Sequence, residues 1–272
     1  MESVNVEAAL EYLDVGEGDA ARRIAMLRRP GRSPGIFWLN GYRSDMGGTK
    51  ATALDAFGAE KGLAVTRFDH SGNGLSGGDF LDGTVSRWLE ESLAVFATTS
   101  GPQVIVGSSL GGWLALLLAR ELRRRGEGTR VKALVLIAPA VDATAELMTK
   151  RMTKAEQAAL KRDGVVQRPS KYSDAPYPYT ARLIEDGNQH HLMFGRGIDV
   201  GAPVTILQGG KDPDVPREHA MRLVQHLLTD PVTFTLIPDG DHRLSRPEDL
   251  DLLKAAVERE ITVPPEQLTL AL

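Results

Sequence analysis

A serine between glycines lies inside an otherwise apolar stretch, VIVGSSLGGWLAL at residues 104–116. Residues 107–111 match G-x-S-x-G, and the flanking apolar runs predict a strand before this pattern and a helix after it. Such a turn lifts the central hydroxyl of Ser109 out of the sheet and places the backbone N–H of Leu110 at a helix N-terminus. We predict Ser109 as a nucleophile and the Leu110 amide as an oxyanion donor. A glycine-rich turn that serves only close packing is the alternative, and Ser108 is expected to bond locally.

A serine attacks only when a base takes its proton, so a carboxylate and an imidazole should follow in the order Ser, Asp or Glu, His. The segment LQGGKDPDVP offers Asp212 after a strand and a glycine turn, with Asp214 as the competing acid or as a turn or N-cap residue. The segment PDGDHRLSRPEDL places His242 on a loop before a final helix, and Ser245 with Glu248 predicts a capping box there. We predict Asp212 as the acid and His242 as the base, against a solvent-exposed loop histidine as the alternative.

The second oxyanion donor should come from the loop after an early strand. The segment FWLNGYRSDMGG predicts the N–H of Tyr42 as that donor, with its ring as a pocket wall. The glycines of DHSGNGLSGG at residues 69–78 lack the G-K-[ST] of a phosphate loop and predict a turn. The other five histidines are expected to be structural, since His219 and His226 lie on a predicted helix, His190 and His191 in residues 142–200, and His70 in a turn. The adjacent pair His190 and His191 also lacks the i,i+4 spacing of a metal site.

A sheet and its helices must position these residues. Short apolar runs that end in Gly, Asn, Asp or Pro are typical of buried strands in a largely parallel sheet, and they occur at residues 23–29, 35–41, 63–72, 103–107, 131–140, 203–210 and 232–240. Apolar residues at three- and four-residue spacing predict helices at residues 49–61, 85–97, 110–125, 217–228 and 247–259. This alternation predicts an α/β fold with a mostly parallel central sheet flanked by helices.

The alternation breaks between residues 142 and 200, where a charged helical piece precedes a stretch rich in proline and tyrosine. We expect this segment to be a short helical lid inserted into a core of residues 1–141 and 201–272. Its apolar side chains could wall an acyl pocket, although residues of this type more often pack a lid onto the body. The candidates for pocket contact are Tyr42, Trp113, Tyr172, Tyr177, Tyr179, Met193 and Phe194.

Composition excludes several classes of protein. The 272 residues carry a formal net charge of −4, so no basic field is available to bind nucleic acid. The absence of cysteine excludes thiolate catalysis and cysteine-based zinc sites, and we expect neither a metal nor a cofactor. The N-terminus lacks the pattern of a signal peptide, and no stretch of about 18 apolar residues could span a bilayer. These observations predict a cytoplasmic location, and they leave the oligomeric state open.

Taken together, these motifs resemble the α/β-hydrolase fold family from about residue 35 to residue 258. The segments LNGYRSDMGGTKA, RFDHSGNGLSGG, GPQVIVGSSLGGWLAL, RPSKYSD, LQGGKDPDVP and GDHRLS look more closely like the mitochondrial palmitoyl-protein thioesterases and acyl-glucuronide esterases of that family and their bacterial relatives. The resemblance implies Ser109 as nucleophile, Asp212 as acid, His242 as base and residues 41–42 at the oxyanion loop. Many members have His-Gly where this chain has Asn-Gly, a change that should spare a backbone oxyanion donor.

We therefore expect a serine hydrolase that cleaves carboxylic esters or thioesters through an acyl-enzyme intermediate. Its partner would be a small-molecule ester or thioester, with an S-acylated protein as a further candidate. A non-catalytic binding protein on the same fold is the alternative from another class, because fold does not settle function. Peptidase or perhydrolase chemistry is compatible with the same residues. Ser109 argues against the dehalogenases of this fold, which have an aspartate at the nucleophile position.

Overall fold

The computed structural model describes residues 7–170, 175–195 and 197–262. Over these residues the chain forms an eight-stranded sheet in the order β1-β2-β4-β3-β5-β6-β9-β10. The two pairs at the N-terminal edge, β1 with β2 and β2 with β4, are antiparallel, and every other pair is parallel. The predicted α/β fold with a mostly parallel sheet is confirmed. The strands of this sheet are β1 Ala9–Val15, β2 Arg22–Arg29, β3 Arg32–Leu39, β4 Leu63–Phe68, β5 Gln103–Ser108, β6 Val131–Ile137, β9 Val204–Gly209 and β10 Val232–Ile237.

Helices cover both faces of the sheet, as a parallel sheet requires. On one face, α1 (Thr49–Lys61) and α7 (Pro247–Thr262) bury Leu54, Phe57, Leu253 and Val257 against the strands. On the other face lie α2 (Val85–Ala97), α3 (Leu110–Arg124) and α6 (Arg217–His226). The first ten residues of α3 are all buried, so this helix is apolar around its whole circumference and lies in the interior of the molecule.

The helix predictions agree closely with the structure. The helices predicted at residues 49–61 and 85–97 have those bounds, and the other three differ from prediction by one to three residues at their C-terminal ends. The capping box predicted for Ser245 and Glu248 is wrong in register. Instead, Asp249 Oδ2 accepts a hydrogen bond of 3.1 Å from the amide of Arg246, and the Ser245 hydroxyl donates to the carbonyl of Arg243 at 3.0 Å.

The segment between β6 and β9 departs from the strand-helix alternation. It contains a π-helical turn (Thr144–Met148), α4 (Lys154–Asp163), the two-stranded sheet of β7 (Val165–Arg168) and β8 (Tyr177–Thr180), and α5 (Ala181–Gly187).

A buried carboxylate after β6 binds the C-terminal part of this segment through two hydrogen bonds. Asp142, which follows β6 and is fully buried, accepts hydrogen bonds of 2.8 Å from the amides of both Leu192 and Met193. Burial raises the pKa of this carboxyl group above its ordinary value. The two amides therefore fix where the segment returns to the body.

Candidate active site

The turn between β5 and α3, which the sequence predicts from the G-x-S-x-G pattern, has a strained backbone at its centre. Ser109 has φ 55° and ψ −117°, a region that residues other than glycine rarely adopt. A Cβ atom on Gly107 would lie 2.2 Å from the carbonyl oxygen of Gly111, and one on Gly111 would lie 2.2 Å from that of Leu39. Only glycine therefore allows the strand, the turn and β3 to approach this closely. The turn holds the Ser109 side chain partly exposed at the carboxyl edge of the sheet.

The three predicted side chains meet at this edge. His242 Nε2 lies 3.1 Å from Ser109 Oγ, and His242 Nδ1 lies 2.8 Å from Asp212 Oδ2. The side chain of Asp212 is fully buried, whereas 15% of the His242 side chain is exposed. An imidazole that donates Nδ1–H to a carboxylate presents an unprotonated Nε2, so it is oriented to accept the hydroxyl proton of Ser109.

The carboxylate of Asp212 is itself held in place by its own turn. Its Oδ1 accepts hydrogen bonds from the amides of Asp214 at 2.8 Å and Val215 at 2.9 Å. The side-chain amide of Gln208 lies 3.4 Å from Oδ2. These contacts orient Oδ2 toward His242, and they place Asp214 in the turn that fixes Asp212.

A second aspartate shapes the loop that carries His242. Oδ1 of Asp241 accepts hydrogen bonds of 3.0 Å from the amides of Arg243 and Leu244. Leu244 has φ 43°, a left-handed conformation that costs energy in a residue other than glycine. The loop between β10 and α7 is therefore a constrained turn.

The loop after β3 carries Tyr42, whose amide the sequence predicts as the second oxyanion donor. A Cβ atom on Gly41 would lie 3.3 Å from Ser109 Cβ, so this loop passes directly beside the nucleophile turn. Buried Asn40 anchors it, because its Oδ1 accepts from the Trp38 indole at 2.6 Å and its Nδ2 donates to the Phe68 carbonyl at 2.6 Å. Asn40 thus positions the loop with its side-chain amide.

The side chain of Tyr42 packs this loop against the segment between β6 and β9. Its hydroxyl donates to the carbonyl of Pro178, and its ring makes edge contacts with Phe80, Tyr177 and Tyr179 at centroid distances of 5.0 to 5.9 Å. Burial raises the pKa of the Tyr42 phenol far above its ordinary value. The phenol is therefore neutral over the working pH range.

Asp69, for which the sequence motifs predicted no role, joins two loops beside the site. Its Oδ1 accepts from the amide of Met46 at 2.6 Å, and its Oδ2 accepts from that of Leu75 at 2.8 Å. Burial raises the pKa of this carboxyl group. A Cβ atom on Gly74 would lie 2.0 Å from Asp69 Oδ2, so the glycine-rich turn is shaped to wrap this carboxylate. Its place at the end of a predicted strand was the available signal.

A cavity of about 570 Å³ opens beside Ser109 and His242. Its apolar wall comes from both the body and the inserted segment, and includes Tyr42, Ala143, Leu147, Met148, Tyr177 and Tyr179. Basic residues outnumber acidic ones along its lining: Arg43, Lys50, Arg151, Arg168 and Arg243 against Asp45 and Asp214. The cavity can therefore accept an apolar chain next to a positively charged region that favours a developing oxyanion.

Several pocket predictions need correction. Trp113 is fully buried in α3, where its indole donates to the carbonyl of His190 at 3.2 Å, because that helix is apolar on every side. Met193 is buried in the core beside the amides held by Asp142. Phe194 is 61% exposed and stacks on His191. None of the three lines the cavity, whereas Tyr42 and Tyr177 do, and Tyr172 lies outside the described residues.

Among the residues that the structure describes, one group of side chains has the donor types of a metal site. Ligand-type atoms of Asp212, Asp214 and His242 lie within 4.8 Å of one another. A cation there would compete with the 2.8 Å hydrogen bond between Asp212 and His242. The two amides on Asp212 Oδ1 also occupy its second oxygen, so these atoms suit proton handling better than metal coordination.

A mostly parallel sheet that carries a hydrogen-bonded Ser109–His242–Asp212 arrangement at its carboxyl edge is typical of the alpha/beta hydrolases. The chain belongs to the alpha/beta hydrolase family, whose profile matches residues 30–251. Among named relatives, it is 34% identical over 258 residues to mouse palmitoyl-protein thioesterase ABHD10, mitochondrial, covering 93% of this chain and 82% of the relative. The human protein of that name is 35% identical over 239 residues, covering 86% of this chain and 75% of its own length.

Solved structures agree with the sequence comparison. A protein of Agrobacterium vitis S4 superposes with a TM-score of 0.91 at 47% identity, covering 94% of this chain and all of that one. Mouse alpha/beta hydrolase domain-containing protein 10 superposes with a TM-score of 0.81 at 32% identity, covering 93% and 98% of the two chains. The resemblance noted from the motifs is confirmed.

The comparisons and the structure also bear on the predicted cellular location and on membrane spanning. The cytoplasmic location is wrong as a prediction, since the mouse, bovine and human relatives are all named as mitochondrial. Within the described residues, no helix combines the length and the apolar character needed to cross a membrane.

Proposed function

We propose that the protein hydrolyses thioesters and carboxylic esters through a Ser109–His242–Asp212 triad and an acyl-enzyme intermediate. The observation that carries this proposal is the continuous hydrogen-bonded chain from Ser109 Oγ through both nitrogens of His242 to buried Asp212. The relatives named as palmitoyl-protein thioesterases favour an acyl thioester as the substrate class.

In the first half-reaction, the Ser109 oxygen attacks the acyl carbonyl while its proton passes to His242 Nε2. Asp212 accepts a hydrogen bond from the Nδ1–H group of the resulting imidazolium and stabilises its positive charge. The amides of Leu110 and Tyr42 donate to the oxyanion, Leu110 from the first turn of α3. The carbon–sulfur or carbon–oxygen bond then breaks, and the leaving group takes the proton from His242.

In the second half-reaction, His242 takes a proton from water, and the hydroxide attacks the carbonyl of the acylated Ser109. Collapse of that intermediate returns the proton to Ser109 and releases the carboxylic acid. The side chains needed for these transfers all lie at one edge of the sheet, and no further group enters the scheme. Residues 142–200 act as a lid in this proposal, since Leu147, Met148 and Tyr177 contribute to the cavity wall.

The deciding experiment compares kcat/KM for one medium-length acyl chain presented as a thioester and as an oxyester, with Ser109→Ala as the blank for each. Both substrates use the same acyl pocket, so the ratio, corrected for intrinsic reactivity, isolates the preference for the leaving group. We expect hydrolysis of both that depends on Ser109, with a preference for the thioester. An oxyester preference would make the protein a carboxylesterase, and activity that survives in Ser109→Ala would refute the proposal.

A further inference from the structure

A lysine on a neighbouring helix contacts the loop that carries His242. Lys50 lies in the first turn of α1, and its ammonium donates to the carbonyl of Arg243, the residue directly after His242. It also lies 3.4 Å from the hydroxyl of Ser245, which in turn donates to the same carbonyl at 3.0 Å. The contact spans 193 residues of sequence, so it joins parts of the chain that no local pattern connects.

The position of Lys50 is unfavourable for the helix alone. A cation in the first turn opposes the helix macrodipole, and the first turn of α1 has no acidic residue to balance it. A residue that goes against the local preference while contacting a functional loop is the kind of conflict found at functional sites. The contact with Arg243 therefore explains a placement that helix stability does not.

We infer that Lys50 is a positioning residue for the proposed hydrolase reaction, holding the loop so that His242 Nε2 stays within hydrogen-bond reach of Ser109 Oγ. Two side chains hold this loop. Asp241 accepts hydrogen bonds from the amides of Arg243 and Leu244, and Lys50 donates a hydrogen bond to the Arg243 carbonyl. Loss of Lys50 would remove the charged donor from the Arg243 carbonyl and leave the neutral Ser245 hydroxyl, which forms a weaker hydrogen bond there. The inference rests on the function proposed above, because it concerns the alignment of its base.

The charge of Lys50 changes within the range of an activity assay. Burial and the positive charge of Arg243 lower its pKa to about 8, while Asp241 and Asp249 act in the opposite direction. The ammonium is present below this pH and becomes an amine as the pH rises through it. A charged donor makes the stronger hydrogen bond, so the hold on the loop weakens on the alkaline side. Arg43, Asp45 and His242 also line the cavity that Lys50 borders.

The experiment measures kcat and KM from pH 6 to 9.5 for wild type, Lys50→Met, Lys50→Arg and Lys61→Met. Lys61 is the matched control, since it lies at the other end of α1 and contacts Glu258 of α7 at 2.7 Å, away from the cavity. We expect Lys50→Met to lower kcat about tenfold with KM within about twofold, as expected for lost alignment of a catalytic group. Lys61→Met should match wild type.

The pH profile separates positioning from a merely structural role. Wild-type kcat should fall through an alkaline pKa near 8. Lys50→Arg should remove that fall, because the guanidinium stays charged up to a pH of about 12, and should keep kcat within about threefold of wild type. If Lys50→Met fails to fold, this profile decides alone. An alkaline fall unchanged in Lys50→Arg would overturn the inference.

Two other results would also overturn it. Equal kcat in Lys50→Met and Lys61→Met would show that the loop needs no lysine. A raised KM with unchanged kcat would make Lys50 a substrate-binding cation instead. Failure of the proposed function is recognised separately: if Ser109→Ala keeps its activity, the triad itself is wrong, whereas an inactive Ser109→Ala with a normal Lys50→Met refutes the role of Lys50 alone.

Discussion

Replacement of Asp212 by asparagine tests the role of the buried carboxylate. The two amides that donate to Oδ1, from Asp214 and Val215, require an acceptor at that position. The asparagine oxygen must therefore occupy it, and the new NH2 group must take the place of Oδ2. There it faces His242 Nδ1, 2.8 Å away in the native protein, so two donors would meet.

The imidazole resolves this conflict by changing its tautomer. Nδ1 becomes the acceptor for the asparagine NH2, and the proton moves to Nε2, which then points a donor at Ser109 Oγ, 3.1 Å away. A base in the wrong tautomer cannot take the hydroxyl proton. Loss of the orienting carboxylate at a comparable triad costs about 10⁴ in kcat, equivalent to about 5.5 kcal/mol of transition-state stabilisation.

The assay is kcat for a chromogenic acyl ester at pH 7.5, with thermal unfolding measured in parallel. Asp214→Asn is the matched control, because Asp214 lines the same cavity while its contribution to Asp212 comes from its backbone amide. We expect this control to stay within about threefold of wild type, since the hydrogen bonds of Asp212 are retained. The reasoning would be refuted if Asp212→Asn kept more than a tenth of wild-type kcat. A loss of kcat in Asp214→Asn larger than in Asp212→Asn would refute it as well.

Three further predictions concern packing, the contact between Tyr42 and Pro178, and pH. Gly111→Ala would place a Cβ 2.2 Å from a backbone carbonyl of β3, so the free energy of unfolding in urea should fall by about 3 kcal/mol, whereas Gly128→Ala, with 3.5 Å to its nearest atom, should change it little. Tyr42→Phe removes the hydroxyl bond to Pro178 but keeps the backbone amide, so unfolding should cost about 1 kcal/mol less while kcat stays within about threefold; a large loss of kcat would contradict this. Burial lowers the pKa of His219 to about 4 and that of His70 to about 3, so the unfolded chain binds more protons below pH 6.5 and stability should fall with acidification between pH 6.5 and 4; His219→Gln should reduce that slope and leave the contribution of His70, and an unchanged slope would refute a lowered pKa at His219.

The sequence predicted the nucleophile turn because its geometry is encoded locally. Glycines at 107 and 111 are required by backbone contacts within a few ångström, and apolar runs mark the strand and helix around them. The acid and the base lie near the nucleophile because their loops all follow strands at the same edge of a parallel sheet. The fold and the meeting of Ser109, Asp212 and His242 were therefore predictable from short segments.

The cavity wall was not predictable in the same way. Apolarity alone does not tell which side of a helix faces a pocket, and α3 buries Trp113 because it is apolar all round. The path of the inserted segment depends on Asp142, which binds amides about 50 residues further along the chain and so buries Met193. The contact of Lys50 with the His242 loop was not predictable for the same reason, since its partner Arg243 is 193 residues away along the chain.

Covalent labelling with a fluorophosphonate, mapped by mass spectrometry, tests the assignment of Ser109 most directly. The described residues contain two other close serine–histidine pairs. Ser92 Oγ lies 3.1 Å from His70 Nε2, but both residues are buried. Ser86 Oγ lies 2.6 Å from His190 Nε2, on the exposed first turn of α2. Ser86 lacks the strained turn of Ser109, and among the described residues no buried acid contacts the His190 nitrogen opposite the serine. We predict one adduct, on Ser109, in wild type and in Ser86→Ala, and none in Ser109→Ala. An adduct that persists in Ser109→Ala, or a wild-type protein that does not react, would contradict a serine hydrolase centred on Ser109.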